Sequence, residues 1–341
     1  MIRSFLYAVT LFAVACSPPT LCAQVSDEEW NRAVTRGLEW LANNQARNGS
    51  WNANGMYPAA MTGMAGIALL AEGSTPTQGR YAPNIRAAVD YLVSVSRRNG
   101  LIGDDSDDRY TYGHGFGLLF LSQVFGEEED EARREDLIDV MTRAILFCGW
   151  SQTTKGGWGY VSARDGNDFD EGSTTITQVQ ALRGARNAGM AVPREIIDRA
   201  IEYIRKCAIQ GGLGGIQYSL TSGGGGRPAI SAAAIVCLFE AGEYDDELVP
   251  NLLQYTSRHL GNIGNTGDGF WHYAHYYYAQ VMYRQGGAEW EEYRNRLFRR
   301  LINEQSSDGS WAQGYIGKVY TTSINLTIMQ LEHGALPIYI R

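Results

Sequence analysis

Carboxylate side chains in one short stretch are the first candidates for acid–base chemistry in this chain. Four acids fall within five residues, from Asp104 to Asp108. Carboxylates held this closely raise one another's pKa, so one of them can keep a proton and act as an acid. We predict Asp107 and Asp108 as catalytic acids. The same cluster in a loop is also typical of a solvated or cation-binding turn, and that alternative stays open.

Histidines supply the second set of candidates. His114 lies between glycines, which leave it room and let other backbone approach. A titratable ring in a concave, mostly apolar cavity is a candidate for proton transfer. His272 and His275 are three residues apart and therefore share a face of a helix. We predict catalytic roles for His114 and His272, place His275 in the same cavity, and expect Asp268 to orient an imidazole.

Tyrosines surround these candidates and could form the wall of a cavity. Tyrosine is concentrated between Tyr273 and Tyr283. Aromatic faces stabilise carbocations, and they can equally line a pocket for a sugar or a peptide. They can also simply pack one helix against another. The predicted ligand-cavity residues are Tyr112, Asp170, Asp268, His275, Tyr276 and Tyr320. Glu171 and Arg227 are further candidates at the starts of apolar helices.

Composition excludes several function classes. The chain has 341 residues, of which 44% are hydrophobic and 19% charged, with a net charge of -8. This acidic balance argues against nucleic-acid binding, for which a basic face is expected. No CxxC motif occurs, and we predict no metal and no cofactor. We predict that Cys148, Cys207 and Cys237 are buried apolar residues without disulfides.

The first 23 residues have the features of a secretory leader. Arg3 precedes an apolar stretch from Phe5 to Ala15 that is too short to span a membrane, and a small-residue cut site precedes Gln24. We predict cleavage after Ala23, a secreted or periplasmic protein, and one domain over residues 24–341. Lipidation at Cys16 is the alternative. No Lys/Arg-rich amphipathic helix argues for membrane association, which stays open.

The rest of the chain repeats one pattern six times, with a period of about fifty residues. An amphipathic helix comes first, such as the one containing Trp290, Tyr293 and Leu297. A glycine-rich turn follows, and then a segment that is apolar or small nearly all round. A helix without a polar face is buried on both sides. The six apolar segments are 61–70, 116–121, 174–185, 230–238, 273–283 and 321–331.

This alternation predicts an all-α fold in which outer helices surround inner helices. A linear solenoid would need polar capping repeats at its ends. The first and last repeats instead match the pattern best, which favours closure into a ring. We therefore predict an α/α toroid of six inner and six outer helices. The starts of its inner helices should converge on one mouth of a central cavity.

The glycine turns carry a resemblance to known families. The Gln-x-x-x-Gly-x-Trp phrase at Gln45, Gly49 and Trp51 returns in the last repeat at residues 305–311. It resembles the QW repeat of squalene and oxidosqualene cyclases, and the repeat of protein prenyltransferase β subunits, over about residues 27–335. The resemblance implies the same toroid. It also implies an Asp-x-Asp-Asp acid that protonates an alkene, and residues 105–108 match that pattern.

This chain departs from both families at the residues that carry chemistry. Arg109-Tyr110-Thr111 follows the acids where the cyclases have Thr-Ala. Arg227-Pro228-Ala229 stands where the prenyltransferases have the Asp-x-Cys ligands of zinc. Because these ligands are missing, we expect no zinc site. Two hypotheses remain. The first is an exported, cyclase-like protein that binds an apolar or polyisoprenoid ligand, with catalysis open. The second is a non-catalytic module that binds a glycan or a peptide.

Overall fold

The fold is built almost entirely from helices. The computed structural model describes residues 24–103, 107–166, 168–211, 214–264 and 270–339. The outer helices within these ranges are α1 Asp27–Asn43, α3 Ala82–Ser94, α5 Glu131–Ser151, α7 Arg194–Cys207, α9 Leu248–Leu260 and α11 Gly287–Glu304. The inner helices are α2 Pro58–Leu70, α4 Tyr110–Phe125, α6 Gly172–Asn187, α8 Pro228–Ala241, α10 Trp271–Gln285 and α12 Lys318–Met329. A small hairpin, β1 Gln217–Ser219 with β2 Gly223–Gly226, precedes α8.

The six inner helices form a closed ring. Each packs against the next in chain order, and α12 packs against α2. On the outside, α1 packs against α11 and α12, which joins the last repeat to the first. All thirteen residues of α2 are buried, because the outer layer covers one side and the ring covers the other. The predicted all-α toroid of six inner and six outer helices is confirmed. Among the described residues no helix is long and apolar enough to cross a membrane.

The inner helices begin earlier than the apolar segments predict. The helix α4 begins at Tyr110, six residues before the predicted segment, because its first turns contain glycine, threonine and histidine. Proline starts α2 and α8, where its missing N–H has no partner to lose. Glu171 caps α6 through its side chain. At the other end of the chain, α12 ends at Met329, two residues before the predicted boundary.

Glutamines in the turns join neighbouring repeats. The side-chain amide of Gln305 donates to the carbonyls of Gly309, at 2.9 Å, and Ala33, at 2.8 Å. The first bond holds its own turn, and the second attaches that turn to α1. The first and third repeats contain the same pair of bonds, made by Gln45 to Gly49 and Asn84 and by Gln152 to Gly156 and Ile196. The last repeat is therefore joined to the first by the same pair of glutamine hydrogen bonds that joins repeats within the ring.

Tryptophans fill the space behind these turns. The indole of Trp311 donates to the carbonyl of Leu301 at 2.7 Å, and the Trp311 backbone N–H donates to the Thr322 hydroxyl at 3.0 Å. One residue thus links an outer helix to its inner partner. Trp51 and Trp158 make the equivalent bonds, and all three side chains are almost completely buried. The third repeat therefore carries the full Gln-x-x-x-Gly-x-Trp motif as well.

Removing the closing glutamine should weaken the ring. We expect Gln305→Ala to lower the free energy of unfolding by about 1–3 kcal/mol, because it leaves the Ala33 and Gly309 carbonyls without this donor. Urea unfolding followed by circular dichroism measures the change. Gln78→Ala, at an exposed position, is the matched control and should change stability by less than about 0.5 kcal/mol. Equal effects of the two substitutions would contradict the role given to Gln305.

The C-terminal segment closes the ring at the C-terminal ends of the inner helices. Leu336, Ile338 and Tyr339 are buried there. The Ile338 carbonyl accepts a hydrogen bond from Arg284 at 2.9 Å, and the Tyr339 hydroxyl lies 2.6 Å from the Tyr276 hydroxyl. Access to the axis is therefore to be sought at the opposite end, where the inner helices begin.

Candidate functional site

Four partly exposed side chains near the starts of inner helices lie close to one another at the ring axis, and we call this accessible surface the recess. They are Tyr112 of α4, Ser173 of α6, Tyr273 of α10 and Tyr320 of α12. Each is partly exposed, although the residues that follow it along its helix are buried. On α10, Tyr273 is the one partly exposed residue between positions 271 and 282. Solvent therefore reaches the axis at this level, and a ligand could do the same.

The hydroxyl groups of this recess bond to other protein groups. The Tyr112 hydroxyl donates to Glu171 Oε1 at 3.1 Å and lies 2.5 Å from Ser173 Oγ. The Tyr273 hydroxyl donates to the Ser173 carbonyl at 3.4 Å. Because these polar atoms already have partners, the surface left for a ligand at Tyr112 and Tyr273 is mainly the aromatic rings.

Glu171 is the acid beneath this surface. Its carboxylate caps α6 by accepting the backbone N–H groups of Ser173, at 2.9 Å, and Thr174, at 2.6 Å. Burial raises the pKa of Glu171, and the hydrogen bonds it accepts oppose that rise. Burial also raises the pKa of Tyr112 and Tyr273 well above the ordinary range, with the Glu171 charge as the second cause. The carboxylate thus orients Tyr112 and keeps it protonated.

An aromatic wall continues the recess towards the surface. The rings of Tyr160, Phe169 and Tyr218 follow one another at centroid distances of 6.0 and 6.3 Å. The hydroxyls of Tyr160 and Tyr218 lie 2.5 Å apart. Tyr112 lies 6.0 Å from Tyr160, which connects this wall to the axis. The guanidinium of Arg109 lies 4.4 Å from the centroid of the Tyr160 ring.

The opposite rim exposes apolar side chains. Met56, Phe270 and Tyr315 precede α2, α10 and α12, which are consecutive in the ring. Their exposed fractions are 51%, 50% and 71%. The Phe270 and Tyr315 rings meet edge to face at 6.0 Å. The mouth thus has an apolar rim on one side and the wall bearing Arg109 on the other.

The predicted acids Asp107 and Asp108 have different surroundings. Asp107 is only 5% exposed and packs between α2 and α4, where a Cβ added at Gly113 would lie 3.1 Å from its Oδ2. Asp108 is exposed. Burial is the main cause that raises the pKa of Tyr57, and the charge of Asp108 is the second cause. The solvated-turn alternative therefore describes Asp108 and is wrong for Asp107. The other acids of the cluster, in residues 104–106, lie outside the described residues.

His114 does not face the central cavity, contrary to the prediction. It is fully buried against α5, with its ring 4.8 Å from that of Phe147. The Ile102 N–H donates to Nδ1 at 3.1 Å, which places the ring proton on Nε2, 3.3 Å from Cys148 Sγ. Both ring nitrogens are thus engaged. Burial lowers the pKa of His114 to about 4, so the ring is neutral at pH 7.

His272 and His275 also lie outside the recess. Nδ1 of His272 is 3.0 Å from Asn325 Oδ1 on α12, and Nδ1 of His275 is 2.8 Å from the Tyr293 hydroxyl on α11. Burial lowers their pKa values to about 4 and about 3. Asp268, expected to orient an imidazole, lies outside the described residues. The predicted convergence of these histidines on the cavity is wrong.

Asp170 and Tyr276 stabilise the fold around the recess and do not line it. Asp170 faces outward and accepts hydrogen bonds from Tyr203, at 2.8 Å, the Leu220 N–H, at 2.7 Å, and the Thr221 hydroxyl. Burial raises its pKa, but these bonds outweigh burial and hold the pKa below its usual range. Asp170 thereby anchors the hairpin before α8. Tyr276 is buried against Tyr339. Of the predicted cavity residues, the structure brings Tyr112 and Tyr320 to the recess.

Helix geometry explains these outcomes. Successive residues of an α-helix are about 100° apart, so residues two apart point to nearly opposite sides. Because Tyr112 faces the axis, His114 must face the outer layer. On α10 the axial stripe is Tyr273, Tyr277 and Gln280. Because an inner helix is apolar all round, its composition does not reveal which of its faces points towards the axis.

Several residues of the recess were not predicted from the sequence. Ser173 and Arg109 lie at the starts of helices, Tyr160 lies in a turn and Tyr218 lies in β1. A useful signal is the spacing of polar residues along an otherwise apolar inner helix. Gln280 and Arg284 continue the Tyr273 stripe at intervals of three or four residues, and such a stripe marks the axial face.

A second buried polar cluster lies deeper in the ring. Glu240 of α8 accepts from Gln180 at 3.2 Å and pairs with Arg284 at 3.4 Å, and Gln180 also donates to Gln280 at 3.0 Å. Burial raises the pKa of Glu240 to about 7, with the Arg284 charge opposing that rise. Arg284 also holds the C-terminal segment, so this cluster stabilises the closed end of the ring. No group of three metal-ligating side chains comes together in the described part of the chain.

Comparisons with known proteins support the fold. No protein-family model and no curated protein matches the sequence. Among solved structures, a variant of the type II terpene cyclase MstE from Scytonema, in complex with geranylgeranyl dihydroxybenzoate, superposes with a TM-score of 0.59 and 13% identity, covering 91% of this chain and 98% of that one. The α-1,6-mannanase GH76A of Salegentibacter superposes with a TM-score of 0.64 and 10% identity, covering 90% of this chain and 99% of that one. A D-mannose isomerase superposes with a TM-score of 0.61 and 11% identity, covering 93% of this chain and 100% of that one.

These similarities define the class of scaffold and leave the chemistry open. At 10–13% identity they show a shared toroid-type fold. A cyclase, a glycoside hydrolase and an isomerase use the same ring of helices, so function must be argued from the site itself.

Proposed function

We propose that the protein binds an apolar, polyisoprenoid-type ligand in the aromatic recess at the starts of the inner helices. One observation carries this proposal. The hydroxyls of Tyr112, Tyr160 and Tyr273 bond to protein groups, whereas parts of all three side chains remain accessible. A ligand therefore meets ring carbons, which favour apolar surfaces and π-bonded chains.

The geometry gives less support to catalysis than to binding. A type II cyclase of similar fold holds a geranylgeranyl compound, which is consistent with an isoprenoid ligand for this chain. The two predicted histidines face away from the recess, and Glu171 is occupied in capping α6. We therefore propose a binding protein, with Asp107 as the remaining candidate acid. We also propose that residues 1–23 direct its export.

Glycan binding is the competing function. Sugars are recognised through hydrogen bonds to their hydroxyls together with stacking on aromatic faces. In this recess the phenol groups named above already have protein partners, so the first part of that recognition is weak. The mannanase similarity concerns the fold. We therefore use α-1,6-mannotriose as the competing ligand in the test.

Isothermal titration calorimetry with farnesol, below its aggregation limit, tests the proposal. We expect the wild-type protein to bind farnesol, and Tyr273→Phe to bind about as well because the ring is kept. Tyr273→Ala should weaken binding about 10-fold or more, since it removes most of a buried aromatic contact worth about 1.5–3 kcal/mol.

Tyr244→Ala is the control for this series. Tyr244 is 61% exposed in the turn before α9, outside the recess. Its substitution should leave farnesol affinity unchanged, and thermal melts of each variant check that the fold is intact. Binding of α-1,6-mannotriose without binding of farnesol would overturn the proposal in favour of a glycan site.

A further inference from the structure

Two exposed arginines stand at the mouth of the recess. Arg109 precedes α4 and Arg227 precedes α8, and both are exposed. Neither forms an ion pair with an acid in the described ranges, although the charge of the adjacent Asp108 acts on Arg109 and, against the effect of burial, helps to raise its pKa. The two positive charges thus stand at one opening of a chain whose net charge is -8.

Both arginines act on the same point of the aromatic wall. The Arg109 guanidinium lies 4.4 Å from the Tyr160 ring, and the Tyr160 hydroxyl is 2.5 Å from that of Tyr218. The Arg227 backbone N–H donates to the carbonyl of Ile216, two residues before Tyr218, at 2.9 Å. Burial raises the pKa of Tyr218, the charge of Glu171 raises it further, and the charges of Arg109 and Arg227 lower it. Both guanidinium groups therefore act on this end of the aromatic wall.

The tyrosine pair also has a proton to offer. Two phenols hold two protons, and one of them is used in the bond between the hydroxyls. The second proton is directed to a third group, which must be an acceptor. Asp108 is not that acceptor, since its carboxylate interacts with the Tyr57 hydroxyl. Two cations and one O–H donor together are complementary to an anion.

We infer that the ligand is an amphiphile whose carboxylate or phosphate head group binds between Arg109, Arg227 and the Tyr160–Tyr218 pair. Its apolar chain then extends over Tyr112 and Tyr273 towards the axis. This inference rests on the proposed function, because it assigns the head group of the ligand whose chain occupies the recess. The apolar rim on the other side of the mouth, near Tyr315, offers no such group.

A matched set of probes separates the head group from the chain. Farnesol, farnesoic acid and farnesyl phosphate share one chain and differ in the head. We expect the wild-type protein to bind farnesoic acid or farnesyl phosphate at least about 10-fold more tightly than farnesol, since a charged hydrogen bond contributes about 1.5–3 kcal/mol. The preferred anion identifies the head. Raising the salt concentration should weaken binding of the anions and spare farnesol.

Charge-removing substitutions then identify the residues. Arg109→Gln and Arg227→Gln should each weaken anion binding about 10-fold and leave farnesol affinity unchanged. Arg194→Gln, which alters a highly exposed arginine on α7, is the control and should change neither. Thermal melts check Arg109→Gln, because that variant also loses the contact with Tyr160.

The outcomes distinguish this inference from the proposed function. If all three probes bind equally and Tyr273→Ala weakens them all, the recess binds the chain and the head-group inference is wrong. The inference also fails if each arginine variant weakens farnesol as much as it weakens the anions. If none of the probes binds to the wild-type protein, the proposed function fails as well.

Discussion

Lowering the pH from 7.5 to 4.5 is expected to cost the protein a large part of its free energy of unfolding. Three buried histidines cause this loss. The pKa values of His114 and His272 are lowered to about 4 and that of His275 to about 3, in each case chiefly by burial, and the nearby Arg300 charge adds to the effect at His272 and His275. All three are neutral in the folded protein at pH 7.

The direction follows from proton binding in the two states. As the pH falls below 6.5 the unfolded chain protonates these histidines, whereas the folded protein does not until about pH 4. Their stabilising contribution is therefore complete above pH 6.5 and is lost as the pH falls. Each histidine contributes on the order of 3 kcal/mol over this range, against a typical stability of about 5–15 kcal/mol.

Glu240 acts in the opposite direction over part of the same range. Its pKa is raised from 4.5 to about 7, so the folded protein holds this proton more tightly than the unfolded chain does. Its effect is a gain in stability as the pH falls from 7 towards 4.5. The gain in stability from Glu240 offsets the loss from about one of the three histidines. The net effect of acidification on the free energy of unfolding is therefore still a loss.

Urea unfolding at several pH values measures this behaviour. The wild-type protein should show falling stability below about pH 6, and His275→Gln should show a smaller change with pH, whatever its stability at pH 7.5. Glu240→Gln should show a larger loss on acidification than the wild type. Histidine ring signals followed by NMR provide a direct check. If the rings of His114, His272 and His275 titrate near pH 6.5, the prediction is wrong.

The second large effect is expected from one methyl group in the turn that closes the ring. Gly309 has a φ of +92°, and a Cβ added there would lie 2.5 Å from the Arg36 carbonyl oxygen on α1. Gly309→Ala therefore combines an unfavourable backbone conformation with a clash against backbone that belongs to a helix. We expect a loss of about 3–5 kcal/mol in the free energy of unfolding, measured by urea titration.

Gly189→Ala separates these two contributions. Gly189 has nearly the same φ, +87°, and nothing lies within 4 Å of its added Cβ. This substitution should cost about 1 kcal/mol, from the backbone conformation alone. Similar losses for the two variants would show that the approach of the turn to α1 is unimportant. The corresponding turn glycines Gly49, Gly100 and Gly156 also lie against backbone of the following outer helix, so the same result is expected there.

The repeated pattern predicts the fold because each part of it has a local physical cause. An amphipathic helix needs one buried side, an apolar helix needs two, and the turn between them needs a glycine at positive φ. In the described part of the chain, the turn glycine at positive φ recurs at Gly49, Gly100, Gly156, Gly211 and Gly309. The boundaries are less predictable, as α4 shows, since its first residues are glycine and polar residues that become buried only in the ring.

The candidate site is predicted less completely. The aromatic enrichment of α10 and the position of Tyr112 point to the correct end of the ring. The roles expected of His114, His272 and His275 depend on the rotation of α4 and α10, which an apolar helix does not reveal. Arg109 and Tyr218, 109 residues apart in the chain, are connected through Tyr160, and this arrangement depends on the packing of consecutive repeats.

By itself, the sequence determined that this chain forms a closed ring of helix pairs. That information is local and recurs along the chain, most fully in the turns of the first, third and last repeats, as in Gln305, Gly309 and Trp311. Only the tertiary structure decided which side chains face the axis, because that choice is made by packing between helices that are distant in the chain. The same packing buries three histidines as neutral groups and leaves Tyr112, Tyr273 and the two rim arginines accessible.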